Sequence, residues 1–472
     1  MLKQTISLFL SMLMLLSLCA CAPAADAPQE EPAAPVLQVG YSRVDITPKT
    51  EVPMGGYGNS HNRISEGVAY PLEATCIAFT YGEEKVLLFT QDLINSSWFQ
   101  DARTAITPAT GVPADRIMIC ATHTHHTPDQ TSKDARITKY KSLYLVAMTK
   151  AAVEALEDCA PATLYAGKTE TEGLNFVRHY LLSDGTYGGD NFGDFSANTI
   201  VGHATVGDPQ MLVLKADREG DKKDIAIVNW QAHPCKTEGG SKNRLLSPDF
   251  IAPMRMSFER TTGMHFAYFT GAAGNQNTST RIASENKYLS FGELGTKLAE
   301  CAISAMNEAK PLEGEGIRCT TQNREFAMNH DKEGMITEAN EVITLWQGGT
   351  NSTEANKLAR SYGFSSVYEA SAVRARAKRP ATGTYELNAI YVGGWVFVTA
   401  PYEMFTNMAL RVKEESPFAH TMVFSCANGS NGYFATVEAY EYGSYEGTTS
   451  RFAKGCAEDS AEAMLQMLNS LK

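Results

Sequence analysis

The stretch "CATHTHHTPD", residues 120 to 129, holds His123, His125 and His126 in a chain with ten histidines in all. Imidazoles crowded in this way either bind a metal through a neutral ring nitrogen or move protons near neutral pH. If the segment is a strand, His123 and His125 share a face, close enough for one metal, or for one ligand beside a proton-transfer group. His126 then points elsewhere. The plain alternative is a set of hydrogen-bonded structural histidines. Two other metal patterns fit poorly. A metallo-β-lactamase needs an Asp two residues after the second histidine and a further His, whereas here His126, Thr127, Pro128 and Asp129 follow. An amidohydrolase barrel needs a long alternation of strands and helices.

Further donors lie far along the chain. His233 follows the apolar run "IAIVNWQA" and Glu403 follows "WVFVTA". Glu403 stands where a helix is expected to open, so a carboxylate there also serves the helix dipole without any metal. Tyr433 and Tyr445 fall in the Gly-rich, hydrophilic segment "NGYFATVEAYEYGSYEG", where aromatic residues often do no more than pack.

The elements that must position these groups mix strands and helices. "ATCIAFTYGEEKVLLFTQDL" reads as a hairpin turning at Gly82, "QMLVLKADREGDKKDIAIVNWQAH" as one turning near Gly220, and "LNAIYVGGWVFVTAP" as one turning at Gly393 and Gly394. Helical spacing runs through "SLYLVAMTKAAVEALED", "GELGTKLAECAISAMNEA", "PYEMFTNMALRVKEE" and "AEDSAEAMLQMLNSLK". The expected class is α/β, with mixed sheets, antiparallel hairpins and flanking helices. Polar clusters begin where apolar strands run out: "RIMICA" into "THTHHTPD", "NWQA" into "HPC", "FAYFT" into "GAAGNQN", "FVTA" into "PYE", and "VFSCA" into "NGSNGY". Strand ends carrying polar loops are where sheet proteins commonly build sites, and these five could converge.

The chain has 472 residues, enough to bury a large core without a structural metal, and a net charge of −12 that argues against a nucleic-acid partner. Met1 and Lys3 precede the apolar run "ISLFLSMLMLLSL", which ends in "LCAC". This resembles a bacterial lipoprotein signal over residues 1–20, with Cys21 as the lipid-carrying first residue of the mature chain; a plain cleaved signal is the alternative. An Ala-, Pro- and acid-rich tether over 21–36 follows, then one domain over 37–472. The expected location is the extracytoplasmic face of a bacterial membrane, held there through lipidated Cys21. Apart from Cys19 and Cys21, the eight remaining cysteines form no CxxC pair, and several sit in apolar runs, as buried thiols do.

Taken in order, "VGYSRVDITP" with "MGGYG", "ATHTHHTPD", "NFVRHY", "NWQAHPC" with "LLSPD", "GAAGNQN", "APYEMF" and "NGYFATVEAYEYGSYEG" resemble the neutral ceramidase family, zinc amidases that hydrolyse the N-acyl bond of ceramide. The resemblance runs from about residue 37 to 450. It implies one catalytic Zn²⁺ held by His123, His233, Glu403 and Tyr433, with water completing the site. It also implies that His125 partners that water as acid and base, and that Arg178 and Tyr445 steady the substrate carbonyl and its oxyanion. A zinc-bound hydroxide would then attack the amide carbonyl.

Three departures accompany the resemblance. Asn275 and Asn277 stand where the family carries Asp and a serine of the catalytic centre, so these two, with His126 in place of a small residue, are expected to reshape the substrate pocket. The third is that residues 37–472 are expected to form the catalytic domain alone, without the family's immunoglobulin-like C-terminal domain. The expected function is a zinc-dependent, ceramidase-like hydrolase of sphingolipid metabolism or a related one, cleaving a linear N-acyl amide in ceramide or another acylated amine. A zinc esterase or amidase on non-lipid substrates is one alternative. A catalytically degenerate surface lipoprotein that binds its ligand without turnover is the other.

Overall fold

In the computed structural model, residues 34–57, 63–346 and 352–472 are described. The expected lipoprotein signal, Cys21 and most of the expected tether lie outside the described residues. Val36 to Lys472 form one compact unit.

Eight strands make the main sheet: β1 (Gln38–Asp45), β2 (Glu73–Tyr81), β3 (Glu84–Gln91), β4 (Ile117–Ala121), β5 (Ala160–Glu170), β6 (Gln210–Arg218), β7 (Ile225–Trp230) and β8 (His265–Thr270), in the spatial order β8-β7-β6-β5-β1-β2-β3-β4, with Lys310–Pro311 added on β5. A second sheet holds β9 (Ile317–Ala327), β10 (Thr382–Val392), β11 (Trp395–Ala400) and β12 (His420–Ser425) in that order. The expected hairpins are β2–β3, β6–β7 and β10–β11, all antiparallel. Three parallel pairs, β3 with β4, β7 with β8 and β11 with β12, were not expected from the sequence. They carry the C-terminal strand ends to a common edge in pairs.

Strand β2 shows why the two sheets stack. Its Ala74, Cys76 and Ala78 join one apolar cluster with α1 (Phe99–Thr110) and α2 (Ala135–Glu157), whereas Ile77 and Phe79 join another with the second sheet. Period-two alternation with both faces apolar places a strand between two layers. On the main sheet's outer face, α3 (Ile251–Thr262) and α4 (Phe291–Asn307) cover β6 to β8. The second sheet is covered by α8 (Thr406–Glu415) and α11 (Cys456–Ser470). The layers therefore run helix, sheet, sheet, helix. Between the sheets, Phe269 stacks on Phe424 with ring centroids 4.4 Å apart, and Phe397 lies 5.5 Å from Phe424. Truncating a buried ring of this kind to alanine costs about 3–5 kcal/mol.

Between β9 and β10 the chain makes a helical insert, α5 (Ile336–Trp346), α6 (Ser352–Ser361) and α7 (Val367–Arg376), with its own small apolar core. After β12 come the short helices α9 (Val437–Glu441) and α10 (Tyr445–Thr449). Tyr368 of the insert meets Tyr445 of α10 edge-on at 5.5 Å. None of the described helices is long and apolar enough to cross a membrane. All eight described cysteines are free thiols, four of them buried.

Candidate metal centre

Strand β4 ends at Ala121, and His123 adopts a left-handed backbone, φ 65°. The histidines thus lie on a loop rather than on one strand face, and period-two alternation does not bring them together. The loop is held by its neighbours: His123 N donates to Leu93 O at 3.0 Å, just past β3, and His125 N to Pro234 O at 3.2 Å, past β7. A non-glycine residue with positive φ is strained and persists only where its surroundings over-determine it. Cys426 and Asn428, past β12, have φ 53° and 55°. Asn428 exchanges bonds with Ile119 at 2.8 and 2.9 Å, tying the end of the second sheet to β4.

The cluster forms where these ends meet. One nitrogen from each of His123, His125 and His233 lies within 4.8 Å of the others, a grouping able to hold a metal ion. Glu403 joins it, with Oε2 3.2 Å from Nε2 of His123 and 3.2 Å from Nε2 of His233. Glu403 does not open a helix: α8 starts at Thr406, and Glu403 instead pairs in parallel register with Tyr433 across the two-residue ladder Glu403–Met404 with Tyr433–Phe434. That ladder sits against the loop after β8, where Gly274 N donates to Met404 O at 2.9 Å. A Cβ on Gly274 would fall 2.6 Å from Glu403 O, so only glycine lets the two backbones approach.

The donor set fits a cation. Nδ1 of His123 faces Ile94 O at 2.7 Å and Nδ1 of His233 faces Gln276 O at 3.1 Å. A carbonyl only accepts, so each Nδ1 carries the hydrogen and each Nε2 turns a lone pair toward the Glu403 carboxylate. His123 Nε2 makes no hydrogen bond despite its nearness to Glu403. Lone pairs converging on a carboxylate need a positive charge among them, and ligand atoms of a tetrahedral zinc stand about 3.3 Å apart. Zinc suits this mixture of imidazole and carboxylate.

His125 differs from the other two. Both its nitrogens are buried without a hydrogen-bond partner, and burial pushes its pKa well below the ordinary range, disfavouring the charged ring. Packing alone orients it: Tyr57 meets it edge-on at 5.0 Å, the Arg63 guanidinium lies 4.6 Å over Tyr57, and a Cβ on Gly56 would strike its Cα at 2.6 Å. His126 is turned away, its Nε2 toward Gly240 O at 3.1 Å and its ring 5.8 Å from Tyr57. It braces the 240 loop instead of facing the cluster.

The remaining expected residues divide. Tyr433 has its ring 6.4 Å from His233, and Tyr445 lies 5.7 Å from Tyr433, as the first residue of α10 rather than in a loop. Arg178 is buried with its Cζ 5.5 Å over the Tyr433 ring. Asn275 is engaged elsewhere: its Oδ1 accepts from Thr406 N at 3.0 Å and Thr406 Oγ at 2.8 Å, satisfying the start of α8. Asn277 remains beside the site, donating to Asp190 at 3.1 Å, with its Oδ1 3.5 Å from Arg178 Nη1.

Two groups escaped the sequence reading. Glu446, 1% exposed, binds Arg178 at 2.6 Å and His179 at 2.7 Å. Both lie in quoted motifs, "NFVRHY" and "YEG", yet nothing in their spacing pairs them. A charged residue beside an aromatic one in each segment was the available signal.

No family model matches the chain, and no curated protein matches it by sequence. In three dimensions it is similar to the crystal structure of neutral ceramidase from Pseudomonas aeruginosa, with TM-score 0.69 and 17% identity over 93% of this chain and 74% of that one. It is also similar to a ceramidase complexed with C2, with TM-score 0.69 and 16% identity over 93% of this chain and 75% of that one. The fold is neutral ceramidase-like, a mixed α/β architecture.

Proposed function

We propose that this chain is a zinc-dependent hydrolase that cleaves the N-acyl amide bond of ceramide or a related acylated amine. The observation that carries the reading is the cluster of His123, His125 and His233 around the Glu403 carboxylate, with Tyr433 paired to Glu403 through the backbone, at the strand ends of a ceramidase-like fold. His123, His233, Glu403 and Tyr433 would hold the ion. When bound, zinc supplies Lewis acidity for polarising a carbonyl and for making water nucleophilic near neutral pH.

The chain's own groups do the rest. His125, neutral and with both nitrogens free, takes a proton from the attacking water and returns it to the departing amine. The Tyr445 hydroxyl donates to the oxyanion that forms on the former carbonyl. Arg178 steadies the Tyr433 side of the site, where its guanidinium overlies the ring. We further propose that Cys21 anchors the domain to a membrane; a lipid mass on the mature N-terminal peptide, lost in Cys21→Ser, tests this.

The deciding experiment measures fatty acid release by the zinc-loaded protein from N-acylsphingosine and from simple acyl amides. Release from the first places ceramide within the substrate class. Release from the second alone points to a non-lipid amidase. Zinc bound without release from any amide or ester overturns the enzyme reading in favour of a binding protein, for which Asn277 at the family's serine position is the motive.

A further inference from the structure

Arg178 is held from behind by a hydrogen-bonded chain that the proposed chemistry does not use. Its Nε donates to Glu446 Oε1 at 2.7 Å, and Nη2 lies 2.6 Å from the same oxygen as an ion pair while donating to Gly274 O at 3.0 Å. The other carboxylate oxygen, Oε2, accepts from His179 Nε2 at 2.7 Å. Since a carboxylate accepts only, Nε2 of His179 carries a hydrogen, and its Nδ1 pairs with the Tyr442 hydroxyl at 2.7 Å. Arg178, His179 and Glu446 are 6%, 1% and 1% exposed. Tyr442 is gripped in turn by Tyr187, stacked at 4.5 Å, and borders a cavity of about 600 Å³ with Phe192, Arg360 and Ser365.

Each link removes a freedom from the next. A guanidinium bound edge-on to a carboxylate cannot swing about its Cδ–Nε bond, and a carboxylate bound at both oxygens cannot rotate either. Nη1 of Arg178 is held more loosely, 3.5 Å from Asn277 Oδ1, and the guanidinium carbon lies 5.5 Å from the centre of the Tyr433 ring. His179 and Glu446 come from distant segments, so the chain also closes the gap between the strand after Phe176 and α10. Pinning of that kind would be purely structural if the Arg178 geometry did not matter.

We infer that Glu446 and His179 are positioning residues that aim Arg178 at the metal centre, with Tyr442 fixing the His179 ring. The inference rests on the hydrolase reading above. Its test is a set of variants of the full zinc-loaded chain assayed on whichever amide the wild type cleaves. His179→Phe is expected to lower kcat roughly 10–100-fold with little change in KM, as loss of an outer partner typically does, while zinc content stays at the wild-type level. His179→Gln, whose amide N–H can replace Nε2–H, is expected to recover most of that loss. In an Arg178→Lys background, His179→Phe should cost little more, because the two residues act as one unit.

A wild type that cleaves no amide defeats the hydrolase reading and not this geometry. An active wild type with His179→Phe at unchanged kcat, or with losses that multiply in the Arg178→Lys background, overturns the positioning role. If His179→Phe does not fold, Glu446→Asp replaces it: the shortened carboxylate cannot reach both partners, and kcat equal to wild type in that folded variant overturns the inference.

Discussion

Glu403 and Tyr433 face each other in register across a parallel ladder only two residues long, and His123 and His233 each bring Nε2 to 3.2 Å from the Glu403 carboxylate. Backbone pairing thus sets the spacing of two candidate ligands directly, and the imidazoles are set by carbonyls behind them.

Ligand and proton-transfer roles separate by metal content. His233→Ala is expected to lose the roughly one zinc per chain that the wild type binds. His125→Ala is expected to keep it and lose turnover by about 10²–10⁴-fold, the usual worth of a positioned acid–base group. Elemental analysis alongside the amidase assay checks both; zinc lost from His125→Ala would make the three histidines the ligand set.

Tyr445→Phe removes a hydroxyl and keeps the ring that packs on Tyr368 and Tyr433. Thermal stability and zinc content should stay near wild type while kcat falls about 10²–10³-fold, the cost of one oxyanion donor. Unchanged kcat would take Tyr445 out of the mechanism.

Gly56→Ala and Gly111→Ala make a matched pair, with φ 98° and 73°. Each costs about 1–2 kcal/mol of backbone strain. At Gly111 the new methyl meets nothing within 4 Å, whereas at Gly56 it lands 2.6 Å from His125 Cα. Both should show lowered Tm, but only Gly56→Ala should lose activity with zinc retained, since it displaces the unbonded His125 ring.

Glu446 predicts an acid limit. Burial alone would raise its carboxyl, but His179 and Arg178 outweigh this and hold it at about 2, below the ordinary 4.5. The folded state therefore binds the proton less readily than the unfolded one. This contribution to stability is full above about pH 5 and fades as pH falls toward 2. Urea melts across that window should steepen the loss of stability in the wild type relative to Glu446→Gln; identical slopes would show the carboxylate is not held down.

Much of the fold was legible because it is local. The hairpins at Gly82, Gly220 and Gly393 follow from period-two runs broken by glycines, each with positive φ. The long helices follow from apolar spacing. The insert from Ile336 to Arg376 was not legible, since short helices around a small core of Ala and Val leave a weak periodic signal. Nor were the parallel pairs, which join strands distant in the chain.

For the site, residue types at strand ends drew attention to His123, His125, His233 and Glu403 but left each open to a plain structural reading; their joint assignment, with Tyr433 and Tyr445, came from the resemblance to the neutral ceramidase family. What tertiary structure decided is how each is used. His123 and His125 converge through a strained loop held by β3 and β7, not through strand alternation. Glu403 belongs to a ladder rather than a helix start, Asn275 binds Thr406, and His126 turns to Gly240. Glu446 and His179 enter only as partners of Arg178. Side-chain type is written into the chain one residue at a time, but a lone pair's direction depends on which carbonyl stands behind the ring. That carbonyl comes from another strand end, which only the folded sheets bring near.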